Sequence, residues 1–137
     1  MALQVRDVMS RDVHTVKRND ELAVADALMK QERVRHLPVL DEDGRVCAVV
    51  SQRDLFRGAL LRALGYGGRA EELMLRQVAV KDTMSSEIQT TTPDMSVADA
   101  ARLMIERRIG CLPVIENDRL VGIVTETDFV RLVAEGR

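Results

Sequence analysis

The chain has 137 residues, 46% of them apolar, enough for one ordinary domain or two small ones that share a core. Aromatic residues are only 2% and the 20 basic residues are offset by 22 acidic ones, which argues against a base-stacking platform for single strands and against a basic footprint for duplex nucleic acid or an anionic membrane. No apolar run nears the roughly 20 residues that span a bilayer, MALQVRDVMSRD lacks the apolar centre of a secretory signal, and Cys47 and Cys111 form no CxxC pattern, so buried thiols in a reducing, cytoplasmic setting are expected.

In chain order, VRDVMS (Val5–Ser10) precedes a short extended stretch, VHTV (Val13–Val16). Leu22, Ala25, Leu28 and Met29 then recur at helical spacing and predict an amphipathic helix. LPVL (Leu37–Leu40) and VCAVVS (Val46–Ser51) flank the turn DEDGR and predict a hairpin. It leads straight into a helix at QRDLFRGALLRAL (Gln52–Leu64), which Gly65, Gly67 and Gly68 end. RAEELMLRQV (Arg69–Val78) reads as a short linking helix that packs through Leu73, Met74 and Val78.

The pattern is then written again. VKDTMS (Val80–Ser85) matches VRDVMS, and IQTT (Ile88–Thr91) matches VHTV. Ser96 and Asp99 have capping-box spacing just after Pro93, and Val97, Ala100, Leu103 and Met104 form one helical face. LPVI, ENDR and LVGIVT repeat the hairpin with a shorter turn, and ETDFVRLVAEG repeats the helix after it. Met9, Met29, Met84 and Met104 fall at equivalent positions and read as core filler. Each copy is therefore β-α-β-β-α. One copy alone cannot bury both faces of its sheet, whereas two can. The expected fold class is α/β (α+β): repeats at 5–64 and 80–133, a linker with a short helix at 65–79, and sheet-to-sheet packing with pseudo-two-fold symmetry.

The ordered set DVMS, V-x-T-V, LM, LPV-x-D and V-S-x-x-DL over Val5–Leu64, repeated in variant form as DTMS, I-x-T-T, LM, LPV-x-E and V-T-x-x-DF over Val80–Val133, resembles the CBS domain, named after cystathionine β-synthase. The tandem pair resembles a stand-alone Bateman module. That resemblance implies regulatory binding of an adenosine ligand (AMP, ADP, ATP or S-adenosylmethionine) in clefts between the repeats. It also implies a homodimer and an effector protein that reads the bound state.

The candidate ligand residues follow from that frame. Ser51 and Asp54 stand where a strand gives way to a helix, and Thr125 and Asp128 repeat the arrangement. The spacing is that of a helix cap. It also suits a ligand, because free N–H groups at a helix start hold phosphate or sugar oxygens and a carboxylate accepts from ribose hydroxyls. In CBS domains the matching Ser/Thr-x-x-Asp is the ribose and phosphate element, and the two roles are compatible. Arg35 precedes LPV and offers a paired-donor fork for phosphate, while the charge of His36 depends on pH. The second copy has Gly110 and Cys111 there, neither cationic. Thr15 and Thr90 in the first strand of each copy are candidate cleft residues or plain strand formers. Val39 and Val114 are candidate aliphatic walls for the base or core residues.

Nothing in the chain forms a catalytic constellation: there is no HExxH, Walker loop or GxGxxG, so no enzyme is expected. His14 and His36 are the only histidines, and no carboxylate pattern completes a metal set around them. The alternative to an adenosine-ligand sensor is a ligand-free CBS-pair scaffold that mediates dimerisation or protein–protein interaction. No nucleic-acid or membrane partner is expected.

Overall fold

The computed structural model describes residues 2–55 and 78–137. The chain divides into two compact units, one spanning His14–Ile88 and the other split between Met1–Val13 and Gln89–Arg137. Among the described residues no helix is long and apolar enough to cross a membrane.

In the His14–Ile88 unit, β1 (Val16–Lys17) runs parallel to β2 (His36–Leu40), which pairs antiparallel with β3 (Val46–Ser51). The helix α2 (Leu22–Glu32) connects β1 to β2. Its spacing is the expected one, since Leu22, Ala25 and Met29 are buried on one stripe and Leu28 packs beside them. It stops at Arg33, which takes a left-handed conformation (φ 55°) so that the next N–H, of Val34, turns back to Met29 O at 3.1 Å. The hairpin turn is built by Asp41, whose Oδ1 accepts from the N–H groups of Asp43 and Arg45 at 2.9 and 3.0 Å, with Gly44 at φ 79°. Alternation along the strands sends Leu37, Val39, Ala48 and Val50 into the core with Val16. Residues 52–55 are helical directly after β3. The remainder of the helix expected at Gln52–Leu64, the glycine stop and positions 69–77 of the linking segment lie outside the described residues, while Val78 at its end is buried in the core of this unit, as expected.

The split unit repeats the plan. Thr91 forms a single parallel bridge to Val114. Next come α3 (Val97–Arg107), β4 (Cys111–Glu116), β5 (Arg119–Thr125) and α4 (Glu126–Ala134). The β4–β5 turn is Asn117-Asp118, both at positive φ (53° and 62°), the mirror-image turn whose twist matches a two-residue hairpin. Ala100 and Met104 bury the inner stripe of α3 against Leu112, Val114 and Val124. The cap expected at Ser96 is half made. Ser96 Oγ accepts from the Asp99 N–H at 3.1 Å, while the Asp99 carboxylate turns to Arg102 at 2.7 Å.

The first strand of each copy is shorter than VHTV and IQTT suggest. It contracts to Val16–Lys17 in one unit and to the Thr91 bridge in the other. In the first, the ladder ends after Lys17 in a turn, with Lys17 N–H on Asp20 Oδ2 (2.8 Å) and Asp20 N–H on Lys17 O (3.0 Å).

The matched segments VRDVMS and VKDTMS exchange hosts. Val80 and Met84 of the second sequence copy pack on the core of the His14–Ile88 unit, and Ser85 pairs with Val49 on β3 through bonds of 3.2 and 3.0 Å. Conversely α1 (Val5–Val8) of the first copy lies in the split unit. There Val5 is fully buried in the core and Ser10 pairs with Ile123 on β5 at 2.9 and 3.0 Å. Each segment thereby satisfies backbone groups along the outer edge of a hairpin.

Candidate functional site

In the His14–Ile88 unit the hairpin brings the candidate residues to one end of the sheet. His36, the first residue of β2, pairs with Ser51, the last of β3. Just beyond them, the Gln52 N–H donates to Arg35 O at 2.7 Å and clips the helix start to the residue before the strand. Ser51 and Asp54 form a reciprocal box: the Asp54 N–H donates to Ser51 Oγ (3.1 Å) and the Ser51 N–H to Asp54 Oδ2 (2.9 Å). Thr15 lies one residue before Val16, which pairs with Val39, so Thr15 stands across from Pro38. Strand alternation puts Thr15, His36 and Ser51 on the face opposite Leu37 and Val39. Arg35 is exposed, whereas Ser51 and Asp54 are partly buried.

The split unit has the same junction with different surroundings. Cys111 pairs with Thr125, and the Glu126 N–H donates to Gly110 O at 3.2 Å. The Thr125 N–H donates to Asp128 Oδ2 at 2.8 Å, and Arg131 reaches Asp128 Oδ1 at 3.5 Å. Asp128 is only 6% exposed, and burial pushes its carboxyl above the usual range despite the opposing Thr125 N–H and the Arg131 charge. The Cys111 thiol is pushed up to about 12, first by burial and then by the Glu126 carboxylate. Thr90 is exposed next to Thr91, which is buried and gives its hydroxyl to Met95 Sδ at 3.0 Å.

Thr15, Arg35, His36, Ser51 and Asp54 thus share one unit, and Thr90, Thr125 and Asp128 the other. Val39 and Val114 are fully buried core residues, not cleft walls, because alternation turns them to the inner face. Cys111 is buried as expected, while Cys47 is only partly so. Sequence reasoning did not reach Glu126 or Arg131. The signals were the three-residue step from Asp128 to Arg131 and the match of Glu126 to Gln52. Among the described residues no three His, Cys, Asp or Glu side chains are grouped to hold a metal, and His14 faces Glu32 at 3.4 Å.

The CBS domain family model matches residues 5–60 and 80–135. The CBS domain-containing protein YhcV of Bacillus subtilis is 35% identical over 91% of this chain and 81% of its own length. Two Methanocaldococcus jannaschii relatives are longer: the chain spans 32% and 42% of them. Among solved structures, CBSX2 in complex with AMP is 28% identical, with a TM-score of 0.75 over 96% of each chain. The CBS domain pair of protein MJ0100, in complex with 5′-methylthioadenosine and S-adenosyl-L-methionine, is 25% identical, with a TM-score of 0.77 over 96% of this chain and 99% of that one. CBS domains are regulatory modules rather than catalysts. With the repeat found twice in order and the fold matched nearly end to end, the chain belongs to the CBS domain family and is a tandem pair, a Bateman module.

Proposed function

We propose that this chain is a regulatory sensor of an adenosine ligand: AMP, ADP, ATP or S-adenosylmethionine. The observation that carries the reading is the duplicated junction. Each unit holds a Ser/Thr-x-x-Asp at a strand-to-helix step, clipped by a backbone bond to the residue two before LPV, within a family whose relatives CBSX2 and MJ0100 are seen with adenosine ligands. In the first unit Arg35 and His36 meet phosphate, Thr15 and Ser51 line the site, and Asp54 accepts from the ribose. Among the described residues, Asp54 Oδ1 has no hydrogen-bond partner, which leaves that oxygen for a hydroxyl. Thr90, Thr125 and Asp128 play the corresponding parts in the second. Bound ligand regulates by favouring one arrangement of the chain, or of a homodimer, over another, and an effector protein reads the difference. This requires unequal ligand affinity for the two arrangements.

A second reading, a ligand-free scaffold for dimerisation or protein contacts, draws support from the two carboxylates already bonding their own caps. Thermal unfolding against AMP, ADP, ATP and S-adenosylmethionine separates the two. A ligand at 100 times its Kd adds about 2.7 kcal/mol, a rise of several degrees in Tm for a chain of this size. The sensor reading expects such a rise for at least one of them, lost in Asp54→Ala or Asp128→Ala. No rise with any of them favours the scaffold.

A further inference from the structure

We infer that the two units select adenosine ligands by opposite charge, the His14–Ile88 unit taking one that carries phosphate and the split unit one that carries a cationic sulfonium. The inference rests on the adenosine-ligand reading above. The strand pairs His36–Ser51 and Cys111–Thr125, with the clips from Gln52 to Arg35 and from Glu126 to Gly110, make the two junctions correspond residue for residue. Beyond the exchange of Ser51 for Thr125, four positions then differ. The first junction has Arg35, His36, Gln52 and Arg53, in which two arginines are exposed fixed cations. The second has Gly110, Cys111, Glu126 and Thr127, in which the one fixed charge is an anion. Asp54 and Asp128 are common to both, and Arg131 is engaged with Asp128.

The anion is felt where it matters. Glu126 helps to hold Cys111, at the position of His36, in its protonated form. A phosphate entering the second junction meets Glu126 and no compensating cation among these four positions, whereas a sulfonium meets attraction. At the first junction the signs reverse.

The test is isothermal titration of the full chain with AMP, S-adenosylmethionine and S-adenosylhomocysteine; the last two differ by one methyl group and the sulfonium charge. The expected result is that saturating AMP leaves S-adenosylmethionine binding in place. Arg35→Gln with Arg53→Gln weakens AMP about threefold to tenfold, the scale of a partly exposed charge contact, and spares S-adenosylmethionine. Glu126→Gln narrows the preference for S-adenosylmethionine over S-adenosylhomocysteine by a similar factor and spares AMP. Competition between AMP and S-adenosylmethionine for one site, or an unchanged preference in Glu126→Gln, overturns the charge selection and leaves the sensor reading standing. Absence of binding by all three, and by ADP and ATP titrated in the same way, overturns both.

Discussion

Replacing Gly122 by alanine tests whether residues 5–10 truly dress the second hairpin. Gly122 lies on β5 opposite Val114. A Cβ there would stand 2.6 Å from Met9 Sδ and 3.0 Å from both Met9 Cγ and Ser10 O. The thioether can swing away, but Ser10 is held by its pair of bonds to Ile123, at 2.9 and 3.0 Å, so the carbonyl cannot. Two effects compete. Alanine is preferred over glycine inside a strand by about 0.5–1 kcal/mol. Overpacking a filled site costs about 1–3 kcal/mol. The steric term wins, and Gly122→Ala is expected to destabilise by roughly 0.5–2 kcal/mol, a fall of some 2–10 °C in Tm. Thermal and urea unfolding followed by far-ultraviolet circular dichroism reads it. In a Met9→Ala background part of the clash disappears, so the two substitutions should couple by at least about 0.5 kcal/mol. A neutral or stabilising Gly122→Ala, or strict additivity with Met9→Ala, would refute the placement of that segment. The corresponding position in the other unit is Ala48, paired with Val39 and fully buried.

Further outcomes follow from the same geometry. Ser51→Ala removes the acceptor for the Asp54 N–H and should cost about 0.5–2 kcal/mol in urea unfolding; no loss would mean that the cap contributes nothing. Asp128 has a folded pKa raised above its ordinary 3.8 by burial. Its contribution to stability is therefore fully present below that value and is lost as pH rises through the raised folded value. Asp128→Asn should flatten the loss of stability as pH rises above about 3.8, and an unchanged slope in urea midpoints would contradict the assignment. Arg108, at φ 54° after α3, occupies a conformation that suits glycine, so Arg108→Gly should raise stability by up to about 1 kcal/mol. A drop in Tm would show that the Arg108 side chain contributes more than its backbone costs.

Much of this is legible in the sequence. The duplication is written in VRDVMS and VKDTMS and in the two LPV runs. The buried stripe of each long helix follows from Leu22, Ala25 and Met29 and from Ala100 and Met104. The DEDGR and ENDR turns, and the step from strand to helix at Ser51 and Thr125, are equally local. Such features depend on spacing along the chain, and spacing is what a sequence records directly.

What needed the fold was the choice between equals. VRDVMS and VKDTMS carry the same pattern, so either could cover either hairpin edge, and only the assembled chain gives Met84 to one core and Met9 to the other. Asp99 has box spacing from Ser96 yet pairs with Arg102, because both partners lie within reach on the helix surface. Asp54 and Asp128 read alike in the chain, but Asp128 is nearly sealed from water and Asp54 is not. Burial and the reach of a charge such as that of Glu126 to Cys111 depend on neighbours far away in the chain, and those neighbours come together only on folding.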